Sequence, residues 1–130
     1  MELAPEDYIA IQQLYARYAF AVDTGDKEGW LACWIEDGAL ETSTGQLNQG
    51  PEALRALVEA QVSNPNEKGY HWNGNLVIEP AEFGATGKTY LMFVRALSVQ
   101  GELGYSLYYT DELVKQAGRW LFRRRKLNRV

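Results

Sequence analysis

From Pro5 onward the apolar residues recur at spacings of three and four, with Ile11, Leu14, Tyr15, Tyr18, Ala19 and Val22 forming one stripe. Residues so spaced share a helix face, so the pattern predicts an amphipathic helix one. Pro5 suits the first helical position, and Glu6 and Asp7 put negative charge where the helix dipole favours it. Gly25 predicts the stop, and Asp26 can cap a second helix carrying Trp30, Leu31 and Trp34. Gly38 reads as a turn, followed by a short hairpin around Thr44-Gly45. Gly50-Pro51-Glu52 opens a third helix whose Leu54, Leu57 and Val58 face inward.

After Asn64-Pro65-Asn66 the period changes to two, which predicts strands near 70–80, 86–98, 103–115 and 119–128. Turns fall around Glu82–Gly84, Gln100–Gly101 and Ala117–Gly118. Short connections between long strands make an antiparallel meander. Helices first and sheet afterwards give an α+β class, a cone-shaped barrel with three helices packed on one strongly curved, mainly antiparallel sheet. Residues 1–130 read as one domain, with a mouth between helix one and the concave side of the sheet.

Composition narrows the function classes. Hydrophobic residues make up 46% of the 130 and charged residues 23%, enough for a core and against disorder. No apolar run approaches the roughly 18 residues of a membrane span, and the acidic start Met-Glu-Leu-Ala-Pro-Glu-Asp lacks the order of a signal peptide. The single cysteine, Cys33, excludes an intrachain disulfide and suits the cytoplasm; in Trp-Leu-Ala-Cys-Trp it reads as a packed, inert thiol. A net charge of −4 argues against nucleic acid. The run Arg123-Arg124-Arg125-Lys126 alternates across a strand, so it predicts a solvated outer face with one or two arginines turned inward.

The only histidine, His71, opens the first long strand. Alternation puts it with Asn73, Asn75 and Val77, opposite Tyr70, Trp72, Leu76 and Ile78. A face that begins polar and turns apolar suggests a lined cavity. Asp23 ends helix one, where the dipole disfavours a carboxylate unless a partner stabilises it. His71 can be that partner: Asp23 accepting from one imidazole nitrogen would leave the other free to take a proton. Tyr18, five residues earlier, would donate to a substrate oxygen. The same residues admit a plainer reading, as a satisfied histidine, a turn aspartate and a core tyrosine.

The segment Ile11-Gln12-Gln13-Leu14-Tyr15-Ala16-Arg17-Tyr18, followed by Ala21-Val22-Asp23-Thr24-Gly25-Asp26, resembles the SnoaL-like branch of the nuclear transport factor 2-like superfamily. The likeness continues through Glu36-Asp37-Gly38-Ala39, Gly50-Pro51-Glu52-Ala53-Leu54, His71 with Asn75, Tyr109 with Asp111, and Gly118-Arg119-Trp120 with Arg125. This branch includes scytalone dehydratase, bile-acid dehydratases, a dehydrochlorinase and polyketide cyclases. The resemblance implies His71 as general base, Asp23 as its orienting partner and Tyr18 as polar donor. It also implies a homo-oligomer, dimer or trimer. Arg125 matches a recurrent arginine of the last strand, although simple alternation sets it on the face opposite Phe122 and Arg124 unless a bulge intervenes. The second histidine of scytalone dehydratase and the middle-strand carboxylate of some bile-acid dehydratases have no counterpart here.

The leading expectation is therefore a cofactor-independent lyase or isomerase acting on a small hydrophobic cyclic hydroxy or carbonyl compound. Its pocket would be built from Tyr15, Trp30, Trp34, Trp72, Asn75, Tyr90, Tyr109 and Arg125. One histidine without a ligand cluster implies no metal, and no Gly-rich phosphate loop implies a nucleotide cofactor. The alternative is a non-catalytic binding or assembly domain. Ile9, Ala16 and Phe20 favour assembly, as a second apolar side of helix one that packs on helix three or on another subunit.

Overall fold

In the computed structural model, which describes residues 2–97 and 99–130, α1 spans Pro5–Asp23, α2 Lys27–Leu31 and α3 Pro51–Ser63. Strands β1 (Trp34–Glu41), β2 (Leu47–Gln49), β3 (Gly69–Ala81), β4 (Gly84–Leu97), β5 (Gln100–Gln116) and β6 (Arg119–Arg129) form one sheet in the order β2-β1-β6-β5-β4-β3. Only β1 and β6 run parallel; every other pair is antiparallel. Three helices thus lie against a six-stranded, bent, mostly antiparallel sheet, as the patterning predicts. Met1 and Ser98, the start of the acidic segment and the end of the predicted strand 86–98, lie outside the described residues.

Local chemistry explains the helix limits. Pro5 takes the first position of α1, and the Asp7 carboxylate accepts from the Ala4 N–H at 2.9 Å. Gly25, at φ 78, supplies the left-handed residue after α1. Asp26 caps α2 by accepting from the Gly29 N–H at 2.9 Å. Two expectations fail nearby. Trp34 begins β1 rather than ending α2, and Gly38 is a buried residue within β1, not a turn. A Cβ at Gly38 would press on the Trp34 ring, so the glycine lets the strand bulge close to that indole.

Bulges decide which side chains face inward. Between Gly74 and Val77, β3 carries one residue more than β4, and Asn75 adopts φ 60. The alternation therefore resets: His71 and Asn73 point in before the bulge, Leu76 and Ile78 after it. Val77 and Asn75, predicted on the histidine's face, are exposed. A second extra residue, Arg123 in β6, lies between the pairs Leu113↔Phe122 and Glu112↔Arg124. It turns Phe122 and Arg125 to the same side, which is the bulge that an inward Arg125 requires. Gln100 and Gly101, predicted as a turn, already pair with Leu97 and Ala96.

The core lies between α1, α3 and the inner sheet face. Ile11, Leu14, Leu54, Val58, Leu113 and Phe122 are almost wholly buried. Tyr18, Trp30, Trp34 and Phe122 form an aromatic group with ring centroids 5.3–6.0 Å apart. Such contacts add to plain area burial. Ile9 and Phe20, by contrast, are 60% and 70% exposed, so the second side of α1 does not pack on α3. Cys33 is buried, and burial pushes its thiol up to about 11, consistent with an inert packed side chain.

Candidate active site

The end of α1 and the start of β3 meet at Asp23 and His71. The Asp23 carboxylate accepts from His71 twice: Nδ1 lies 2.6 Å from Oδ1, and the backbone N–H lies 3.1 and 3.2 Å from the two oxygens. Asp23 ends the helix at the dipole's negative pole, so these donors supply what its position lacks. An ionised carboxylate is an acceptor only, which fixes the neutral imidazole with its proton on Nδ1 and its lone pair on Nε2. The rest of the ring is held by packing, with Phe93 at 5.0 Å between centroids and Tyr105 stacked on Phe93 at 5.3 Å.

His71 borders an interior cavity of about 100 Å3 whose wall includes Tyr18, Trp30, Leu57, Gln61, Leu91, Tyr105 and Tyr109. Burial pushes the Tyr18 hydroxyl well above its ordinary value, with Tyr109 adding to the effect, so it remains a donor at neutral pH. Burial likewise raises Tyr105. Gln61 Nε2 lies 3.0 Å and the Tyr105 hydroxyl 3.4 Å from His71 Nε2. Neither residue was anticipated. Gln61 was legible in principle, since it continues the inward stripe of Leu54, Leu57 and Val58 by a further turn and is its one polar member.

The remaining predicted pocket residues divide into two groups. Tyr109 lines the cavity. Trp72 and Tyr90 do not: they are 60% and 51% exposed, one residue out of phase with His71 and Leu91, although Trp72 and Tyr15 border with His71 a separate space of about 250 Å3 beside α1. Asn75 is exposed at its bulge. Trp34 packs behind Trp30 and Tyr18 rather than against the cavity.

Tyr15 and Arg125 face inward but belong to a buried network outside the cavity wall. Arg125 donates to Asp111 through Nε at 2.8 Å and Nη2 at 3.0 Å, and the Tyr15 hydroxyl donates to the same carboxylate at 2.5 Å. Burial pushes the Asp111 carboxyl up, opposed by Arg125 and by the two donors. The guanidinium stacks 3.5 Å from the Tyr109 ring centre and fills the space beneath the cavity. A Cβ at position 87 would collide with the Tyr15 hydroxyl, so Gly87 makes room for this bond.

A larger depression, about 440 Å3, lies on the outer sheet face and is lined by Glu79, Lys88, Glu112, Arg124 and Lys126. Its mixed charges are partly paired, Arg124 with Glu41 at 2.6 Å and Glu112 with Arg123 at 2.9 Å, and it contains no histidine. His71 borders the smaller interior space instead. Among the described residues no three His, Cys, Asp or Glu side chains converge on a metal position, and no helix is long and apolar enough to cross a membrane.

The family model of the SnoaL-like domain matches residues 4–126. The chain belongs to the SnoaL-like family. Its structural relatives agree on the architecture. A variant of Rv3472, a protein of unknown function from Mycobacterium tuberculosis, is 32% identical with a TM-score of 0.84, over 98% of this chain and 76% of that one. A Nostoc punctiforme protein of unknown function with a cystatin-like fold is 29% identical, TM-score 0.87, over 98% and 94%. A putative scytalone dehydratase from Novosphingobium aromaticivorans is similar in fold, at 22% identity and TM-score 0.80 over 93% and 82%. No protein of curated function matches the chain. The SnoaL-like family includes polyketide cyclases and scytalone dehydratase-like proteins, so this SnoaL-like chain has the nuclear transport factor 2-like cone in a branch that contains enzymes.

Proposed function

We propose that this SnoaL-like chain is a cofactor-independent lyase or isomerase that removes a proton from a small, neutral, cyclic hydroxy or carbonyl compound. The observation that carries the reading is the 2.6 Å contact between Asp23 and His71 Nδ1 at the wall of an aromatic cavity, which aims the basic nitrogen at the interior. His71 Nε2 takes the proton from carbon beside a carbonyl, and the bond electrons move to the oxygen as an enolate. Tyr18 donates a hydrogen bond to that oxygen. In dehydration the imidazolium returns the proton to the departing hydroxyl; in isomerisation it returns it to another carbon. Asp23 stabilises the imidazolium between the two steps. Small cyclic ligands suit walls made of Trp30, Tyr105 and Tyr109.

The second reading, a binding domain without chemistry, is favoured by the small cavity and by the existing hydrogen bond on Nε2. A panel of neutral hydroxy and carbonyl ring compounds, screened for thermal stabilisation and then for conversion, separates the two. On a compound that is converted, His71→Ala and Asp23→Asn should each lower kcat by about 10²–10⁴-fold, the usual worth of a positioned base. The melting temperature should shift by only a few degrees. Stabilisation by ligands without conversion, or unfolding of both variants, would sink the enzyme reading.

A further inference from the structure

The proton-accepting nitrogen of His71 already has a partner. With the proton on Nδ1, Nε2 is an acceptor, so Gln61 must meet it with its amide NH2, at 3.0 Å. Among the described residues this is the only side-chain hydrogen bond that Gln61 makes. The residue therefore does nothing for the end of α3 that the backbone does not already do; its bond is spent on the base.

Gln61 also stands in a partition. With Leu57 and Tyr105 it separates the interior cavity, about 100 Å3, from a surface vestibule of about 300 Å3 that Ala60, Asn64 and Glu67 complete. The inner space is smaller than the roughly 150 Å3 cavity that holds benzene in a well-packed protein core. A substituted ring does not fit in this inner space while the partition stands. Joined, the two spaces enter the range of roughly 300–1,000 Å3 typical of ligand pockets.

We infer that Gln61 is a displaceable cap on the base, so that substrate enters through the vestibule between α3 and β5 and its own hydrogen-bond donor replaces the Gln61 amide on Nε2. Gln61 is thus a positioning and specificity residue. A ring that presents no polarised C–H or O–H to Nε2 leaves the imidazole unsatisfied and does not open the partition. The vestibule adds a second criterion. The Glu67 Oε2 atom there is buried without a hydrogen-bond partner. A substrate hydroxyl at that end would satisfy it, whereas a carboxylate or phosphate would be repelled. The substrate class narrows to neutral rings with a hydroxyl at the end remote from the reacting carbon.

The inference rests on the dyad reading for its chemistry but not for its geometry, and it can be tested without substrate because His71 is the sole histidine. Diethylpyrocarbonate, which acylates the free imidazole nitrogen, is the probe. Gln61→Ala should react about tenfold faster than wild type, the equilibrium worth of one neutral hydrogen bond. Gln61→Leu, which keeps the bulk and loses the bond, should fall between them. In long-range 15N–1H spectra of wild type, Nε2 should resonate as a hydrogen-bonded acceptor and move toward the free value in both variants. Unchanged modification rates with an unmoved Nε2 signal overturn the cap, as does a free Nε2 signal in the wild type should either variant fail to fold. Faster modification without turnover of any ring compound upholds the cap and removes the catalytic reading. Turnover with unchanged modification does the reverse.

Discussion

Two acid–base pairs cross the inside of this cone, and their surroundings make them opposites. Asp111 and Arg125, on neighbouring strands, have side chains with no exposure at all, and the pair is bidentate with a third donor from Tyr15. Asp23 and His71 join a helix end to a strand, with side chains 12% and 8% exposed, at the edge of a cavity. In the first pair the carboxylate accepts from three donors and the cation sits among aromatic rings, with its Nη1 buried without a hydrogen-bond partner. In the second, the carboxylate uses its acceptors to hold one side of a ring whose other side remains a base. Burial alone therefore does not mark a reactive group. Of the two pairs, Asp23–His71 is the one that borders a cavity, where its second ring nitrogen is met by Gln61 rather than by a charged partner.

The hardest way to break that contrast is to remove one half of the buried pair. Asp111→Ala leaves the Arg125 guanidinium without its counter-ion in a closed interior and should cost about 3–5 kcal/mol of stability, measured by urea unfolding. The double substitution Asp111→Leu with Arg125→Met removes both charges and should recover much of that loss, since apolar replacements of a buried pair are commonly neutral or stabilising. Catalytic dependence on Arg125 itself would show as lost turnover in a double variant that is stably folded. That outcome would return the arginine to the active site and dissolve the distinction.

A gentler change probes the third donor. Tyr15→Phe deletes the hydroxyl that donates to Asp111 and should destabilise by about 1.5 kcal/mol, the lower end for a hydrogen bond to a charged group. The loss is smaller than for Asp111→Ala because Arg125 still holds both carboxylate oxygens. An effect as large as that of Asp111→Ala would mean that the network behaves as one cooperative unit rather than as a pair with a helper.

Much of this arrangement could be read from the chain. The three-and-four spacing from Ile11 to Val22 fixed α1, and the misplaced charge of Asp23 pointed to a partner across the fold. A histidine on a polar stretch of an inward face marked the other end. What alternation could not show were the inserted residues. One extra position near Asn75 moved Leu76 and Ile78 into the core and turned Asn75 and Val77 out. Another at Arg123 swung Arg125 inside. A bulge shifts phase by one residue without altering composition, so only local hints remain, such as Asn after Gly in a strand. Trp72 and Tyr90 lie outside the interior cavity for a different reason: their odd-and-even placement already put them out of phase with His71 and Leu91, and Trp72 instead borders the space beside α1. Gln61 was legible only from its phase with Leu54, Leu57 and Val58, a weak signal because a glutamine in the last turn of a helix usually meets solvent.

A third carboxylate, Asp7 at the start of α1, sharpens the comparison with the smallest expected effect; its side chain is 14% exposed, close to the 12% of Asp23. Asp7 accepts from the Trp120 indole N–H at 2.9 Å, from the Ala4 N–H at 2.9 Å and from Lys115 Nζ at 3.1 Å. The Trp120 bond above all, with the Ala4 and Lys115 bonds after it, lowers its carboxyl from 3.8 to about 2. A folded-state value below the unfolded one means that the unfolded chain binds the proton first. The stabilisation is present in full above the unfolded value of 3.8 and is lost as pH falls toward about 2. Urea unfolding of wild type and Asp7→Asn across that window should show a stability difference that is constant at neutral pH and shrinks below about pH 4. Added salt should weaken the Lys115 share and leave the Trp120 share, because screening acts on the charge pair and not on a neutral donor. A difference that stays constant down to pH 2 would mean that Asp7 contributes only its shape. Asp7, 14% exposed against 12% for Asp23, would then differ from it in partners alone and not in any contribution of its charge to stability.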